Sequence, residues 1–401
     1  MRGPQIQRAM VGRDVSEHHR AATPLELLFD LCFVVAVSQA VSGLHHFAVE
    51  GNFAEGIQRY SFAFFAIWWP WVNFTWFASA FDTDDIAYRL AVLVQIGGNL
   101  TIAAGIPRYF EQQDYTVLVI GYVIMRLGLV ELWLRAARND PRAGPAAKRF
   151  AFGITLVQIG WVVRLFVPHD VGVPMIAALM LAELAVPIWA ERAGRTQWHP
   201  GHIAERYGLF TLIVLGESIL GATVSIQSAF DAGEDVTSLV MIAAGGLLIV
   251  FAMWWLYFDQ PTDGSLRMFW RGESGLRESP FIFGYGHLFI FATAAAVGGG
   301  LEIAVDFATH HTGISAPQAA AMIAGPVALY LTSIWVLRFT LNQTPTLKTV
   351  MYSAAIGLVL CTMWLEQPVL PIGLITAGLV TALVLVRWRI ESRAAASQPA
   401  D

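Results

Sequence analysis

Six ionisable side chains stand inside long apolar stretches of this chain: Asp30, Arg126, Glu131, Glu183, Glu217 and His287. An ionised group at bilayer depth costs roughly 2.5–3.5 kcal/mol on insertion scales unless it is paired or wet. Two chemistries meet that cost. Arg126 can neutralise one or two acids and lock helices together. A carboxylate left over from such pairing can bind a cation or carry a proton, the usual work of acids at that depth. Glu26 and Asp30 are four apart, hence on one helix face. Glu217 lies about 18 Å beyond Glu205 at about 1.5 Å per residue, near the middle of a span. Arg126 and Glu183 come out at similar depth. His287, about 10 Å inside its helix, belongs to the residue type that titrates near neutral pH and relays protons. We expect Arg126, Glu183, Glu217 and Ser218 to form a mid-membrane site, with Asp30 and His287 on its cytoplasmic side.

The elements that position these residues follow from composition. Of 401 residues, 56% are hydrophobic and 14% charged, against about 25% charged in a soluble domain. The apolar residues come in blocks of about 20, the length that crosses a hydrocarbon core of about 30 Å. The pattern predicts an all-α transmembrane protein of about twelve helices, near 24–44, 60–81, 86–107, 115–137, 149–167 and 172–190, then 204–227, 236–258, 280–304, 316–339, 347–365 and 368–388. The net charge of −5 gives no footprint for nucleic acid. Cys32 and Cys361 fall in apolar blocks without metal-ligand spacing and read as packing residues. No cofactor is implied. The lipid bilayer and a small molecule or ion are the expected partners.

Orientation follows from Lys and Arg. With the N-terminus in the cytoplasm, 21 of the 25 basic residues fall on the cytoplasmic side. Only Arg59, Arg108 and Arg164 face outward, and Arg126 is in mid-helix. Such asymmetry places both termini inside. Residues 1–23 read as a cytoplasmic tail, 24–190 as a first six-helix half, 191–203 as a linker, 204–390 as a second half and 391–401 as a disordered tail. The halves resemble each other. Both Glu26 and Glu205 open a helix with a polar pair twelve and thirteen places on, Ser38–Gln39 and Glu217–Ser218. Two aromatic runs close on Phe-Asp at Asp82 and Asp259, followed by Arg89 and Arg267. Six helices per half makes this a parallel 6+6 repeat, as in some transporters. Gly208, Gly216 and Gly221, with Gly298–Gly300, predict close helix approach.

Two acidic clusters, Asp82-Thr-Asp84-Asp85…Arg89 and Asp259-Gln-Pro-Thr-Asp263…Arg267, carry two further readings. As latches, Glu26, Arg89, Glu205, Arg206, Asp259 and Arg267 would form charge pairs at helix ends that switch during alternating access. As a catalytic set, Asp82, Asp84, Asp85, Asp259 and Asp263 resemble the acid motif of class II terpene cyclases and the diphosphate motif of UbiA-type prenyltransferases. They would hold Mg²⁺ against a lipid diphosphate, beside tryptophans able to face a cation. Solvated helix ends explain the same acids without a ligand.

Four ordered motifs resemble the bacterial low-temperature-requirement protein A family: Glu26-Leu-Leu-Phe-Asp30, Phe81-Asp-Thr-Asp-Asp-x-x-x-Arg89, Glu205-Arg-x-Gly-Leu-Phe with Leu215-Gly-Glu-Ser218, and Trp254-Trp-Leu-Tyr-Phe-Asp259. The resemblance runs from about residue 20 to 390. It implies a multi-helix membrane protein and supplies neither substrate nor catalytic residues. The residues themselves favour a secondary transporter or permease, plausibly proton-coupled. The alternative is a membrane enzyme acting on an isoprenoid or lipid diphosphate.

Overall fold

Backbone in hydrocarbon has no water to bond, so apolar blocks satisfy their N–H and C=O groups internally as helices. The computed structural model describes residues 6–13, 21–81, 83–194, 196–259, 279–342 and 346–396. Among them are twelve helices and no strand. They are α1 (Pro24–Val49), α2 (Phe53–Ala80), α3 (Ile86–Gln112), α4 (Thr116–Asn139), α5 (Gly144–Arg164), α6 (His169–Glu191), α7 (Pro200–Asp231), α8 (Val236–Phe258), α9 (Ser279–Ala308), α10 (Ala316–Asn342), α11 (Thr346–Cys361) and α12 (Val369–Ala396). Each expected helix is present, several of them longer than the apolar window that announced it. Eleven are long and apolar enough to cross a membrane. The twelfth, α2, has 28 residues, but its apolar character comes from rings rather than aliphatic chains. Trp68, Trp69, Trp71, Phe74 and Phe77 are all buried.

The chain forms two compact units, Met1–Ala40 with Ser61–Phe210, and Val41–Tyr60 with Thr211–Asp401. Their boundaries cut α1, α2 and α7 within their length.

In the first unit, α1 starts on a reciprocal cap. Thr23 N–H donates to Glu26 Oε2 (2.7 Å) and Glu26 N–H donates to the Thr23 hydroxyl (3.3 Å), so two otherwise orphaned donors are satisfied. Helix α3 starts at Asp85, whose carboxylate accepts from Tyr88 N–H (2.8 Å). It ends at Gln113, at φ 55°, whose N–H returns to the Tyr109 carbonyl. Helices α3 and α4 touch backbone to backbone, since a Cβ on Gly98 would lie 2.7 Å from the Gly121 carbonyl oxygen. Trp133 stacks on Phe150 (4.1 Å, 5°) and Tyr122 meets Trp161 (6.3 Å). Eleven residues separate each pair along α4 and along α5, which fixes an antiparallel register.

In the second unit, Asp235 caps α8 by accepting from Thr237 and Ser238 N–H (3.2 and 3.0 Å). Helices α7 and α9 approach closely, with a Cβ on Gly298 falling 2.8 Å from Ser218 Cα. Gly216, expected at such a contact, faces open space. The two cysteines are free, and Cys361 is exposed rather than packed.

Candidate functional site

The most heavily buried charges of the first unit come from the Glu-Leu-Leu-Phe-Asp and Glu-Arg motifs. Arg206 on α7 grips Asp30 on α1 with two bonds, Nε to Oδ2 (2.7 Å) and Nη2 to Oδ1 (2.5 Å), the planar fork that suits a carboxylate. Trp71 on α2 donates its indole N–H to Asp30 Oδ1 (2.7 Å). Arg206 Nη1 and His202 Nε2 each lie 3.2 Å from Glu26 Oε1. Glu205 turns to the chain entering α1 and accepts from Ala22 N–H (3.2 Å). Glu26, Asp30, His202 and Arg206 are at most 1% exposed. The Glu26–Arg206 charge pair is therefore formed. Asp30 is thus partnered by Arg206 and Trp71.

Arg126 and Glu183 come together as expected. Arg126 Nη2 lies 3.2 Å from Glu183 Oε2 and 2.7 Å from the Tyr122 hydroxyl. The guanidinium carbon stands 4.7 Å from the Tyr122 ring centroid. Glu183 also accepts the indole N–H groups of Trp69 (2.8 Å) and Trp161 (3.3 Å). Among the described residues, Arg126 Nε and Nη1 have no hydrogen-bond partner, and neither do the two amide atoms of the buried Gln158 on α5. Glu131 lies on an exposed face of α4 and does not join this group.

The first acidic cluster divides its work. Asp85 is 2% exposed and holds Arg135, with Nη1 at 3.0 Å and Nη2 in closer contact, besides accepting from Arg8 N–H (2.7 Å). Burial raises the Asp85 carboxyl, but the bonds from Arg135, Tyr88 and Arg8 outweigh burial and hold it below its ordinary value. Asp84, at φ 43°, pairs with Arg89 through bonds of 2.8 and 3.0 Å on an exposed surface. In the second unit, Asp259 lies 3.5 Å from Arg387. Asp82, Asp263 and Arg267 fall outside the described residues. Among the described residues, no group of three or more His, Cys, Asp or Glu has metal-binding geometry.

The remaining expected residues lie in the second unit. Ser218 spends its hydroxyl on the Val214 and Ala294 carbonyls (3.2 and 3.0 Å). His287 is fully buried, with Nδ1 2.7 Å from the Phe283 carbonyl and Nε2 3.0 Å from the Tyr257 hydroxyl. Glu217, in the middle of α7, makes no hydrogen bond or ion pair among the described residues. Its neighbour is a residue that sequence reasoning passed over. Glu302 on α9 rests against Gly221, where any Cβ would overlap Glu302 Oε1. Gly221 is one turn beyond Glu217 on the same helix face, and the Glu217 charge acts on Glu302. Glu302 likewise has no such partner. One turn further along α9, Asp306 contacts His45 of α1 (2.6 Å). Glu217, Glu302, Asp306 and His45 thus form a row of titratable groups from the middle of α7 to the C-terminal ends of α9 and α1.

Twelve helices, eleven of them apolar enough to span a bilayer, with ion pairs sealed between them, define a helical multi-pass membrane protein. The family model for the Bacterial low temperature requirement A protein (LtrA) matches residues 21–386, and this chain belongs to that family. It is similar to Uncharacterized protein RA0937 of Rhizobium meliloti (strain 1021), 28% identical over 367 residues that cover 87% of this chain and 83% of that one. No solved structure matches it.

Proposed function

We propose that this protein is a proton-coupled secondary transporter or permease for a small molecule or ion, in the cytoplasmic membrane of a bacterium with both termini inside. One observation carries the reading. Glu217 and Glu302 stand close together within membrane-spanning helices, and among the described residues neither makes a hydrogen bond or ion pair, although the His45 ring acts on Glu302 from a distance. Two adjacent carboxylates cannot both stay ionised cheaply at that depth. One of them binds a proton or a cation, and releasing it costs little once water or substrate arrives. Asp306 and His45 continue the row toward one helix end, so a proton entering at His45 reaches Glu217 in short steps. A protein that only needed to hold its helices together would gain nothing from these acids. The lipid-diphosphate reading has no comparable support, because Asp84, Asp85 and Asp259 are each engaged by an arginine.

The test uses proteoliposomes under an imposed pH gradient, with a trapped pH dye and a panel of labelled small molecules and ions. Gradient-driven uptake of one of them should be lost in Glu217→Gln and Glu302→Gln. Uptake with the same pH dependence in both variants as in the unaltered protein would remove the carboxylates from the mechanism.

A further inference from the structure

Arg126 is 2% exposed, yet among the described residues only one of its three guanidinium nitrogens is bonded. Its contact with Glu183, 3.2 Å, is longer than the roughly 2.7–2.9 Å of a charge-assisted bond. Glu183 does not depend on it, because the indoles of Trp69 and Trp161 hold the same carboxylate. The register of α4 and α5 supplies the other side of the site. With Tyr122 beside Trp161 and Trp133 on Phe150, Arg126 is level with Val157 and Gln158. Gln158 shares the α5 face of Trp161 three residues on, is 8% exposed, and leaves both amide atoms unfilled. Among the described residues, Arg126 Nε–H, Arg126 Nη1–H and the Gln158 amide N–H are therefore unsatisfied donors, against the one unsatisfied acceptor that this pair carries, the Gln158 amide oxygen. Buried groups of this kind cost about 1–3 kcal/mol each when left unfilled. A ligand that meets them must offer more acceptors than donors.

We infer that Arg126 and Gln158, enclosed by Tyr122, Trp69 and Trp161, form a binding site for a small monovalent carboxylate. The carboxylate oxygens accept from Arg126 Nε, Arg126 Nη1 and the Gln158 amide, and the rings surround its short apolar end. Glu183 sets the charge limit, since it already neutralises most of Arg126 and so disfavours a dianion. This assigns a ligand class to the transport reading and rests on it for its purpose, but binding is measured without transport, so either can fail alone.

The probe is radiolabelled acetate, bound at equilibrium to the purified full chain in lipid nanodiscs. Binding should saturate below about 10 mM, the weak-affinity end of the scale. Arg126→Lys should weaken it by at least about tenfold, the loss expected for a hydrogen bond to a charged group. Gln158→Leu should weaken it by a few fold. Glu183→Gln should tighten it, because the competing carboxylate is gone, whereas a pair that merely locks helices predicts no gain. Excess formate should compete and phosphate should not. No saturable acetate binding by the unaltered chain overturns the assignment. So does affinity unchanged in Gln158→Leu and not increased in Glu183→Gln, two variants that retain the Trp69 and Trp161 packing even if Arg126→Lys fails to fold. Competition by phosphate equal to that of formate overturns the monovalent class.

Discussion

The two units partner the acids on their helices differently. In the first, acids meet arginines: Asp30 and Glu26 share Arg206, Asp85 holds Arg135, and Glu183 faces Arg126. In the second, Glu217 and Glu302 lie together with no arginine or lysine bonded to either among the described residues, and Asp306 relies on a histidine. Residue type is the same in both, and the partner decides what the acid can do. A carboxylate gripped by a guanidinium keeps its charge and its place. A carboxylate beside another carboxylate is costly to keep ionised at membrane depth.

The contrast can be broken most severely at Arg206. Arg206→Ala leaves Asp30 and Glu26 without their shared cation, and removing one partner of a buried pair costs about 3–5 kcal/mol. A large fall in the thermal midpoint of the purified protein is expected, partly restored by adding Asp30→Asn. An unchanged midpoint would end the distinction between the units. Next comes Asp85→Asn, with an expected loss of about 1–3 kcal/mol from weakened bonds to Arg135 and two N–H groups. Because the folded carboxyl sits below its ordinary value, its stabilisation is present above the unfolded pKa and lost as pH falls through the folded one. The midpoint difference between the unaltered protein and Asp85→Asn should therefore shrink as pH drops from 5 toward 2, and a difference that grew on acidification would contradict the assignment.

In the second unit the sign reverses. Glu302→Gln should leave stability unchanged or raise it by up to about 1 kcal/mol, since it removes a charge that two neighbouring acids oppose and only His45 offsets. Gly221→Ala should cost about 1–3 kcal/mol by overpacking against Glu302, and Glu302→Ala should relieve it. Thermal melts of the single and double variants form the cycle. The smallest effect belongs to the exposed Asp84–Arg89 pair. Arg89→Ala should give no measurable shift of the midpoint, as is usual for solvated ion pairs.

Twelve helices were legible because the span length is set by the bilayer, and apolar blocks of that length leave little alternative. The Arg126–Glu183 pair was legible for a similar reason, since both residues fall in mid-helix. What stayed hidden was adjacency between helices. The Asp30–Arg206 pair was not foreseen because Arg206 seemed to sit at a helix edge near residue 204. The helix begins instead at Pro200, which carries Arg206 well inside. His45 and Asp306 were missed for the same physical cause, whereas Glu302 lay inside its window and only its adjacency to Gly221 marks it. The apolar windows stopped at 44 and 304, but α1 runs to Val49 and α9 to Ala308. Polar residues continue a helix past its apolar stretch when they find one another, as His45 and Asp306 do, and a hydropathy window cannot register that.

The paired rings of α4 and α5 have a mechanical consequence. Trp133 on Phe150 and Tyr122 against Trp161 splint the two helices at two levels, so Arg126 and Gln158 travel together as points on one stiff plank. Glu183 is borne by α6, which meets α5 where Val186 fills the space beside Gly153 and has only 17% of its membrane window buried. Any displacement that parts Glu183 from Arg126 is then a movement of α6 against the plank, and α6 is the lever to watch.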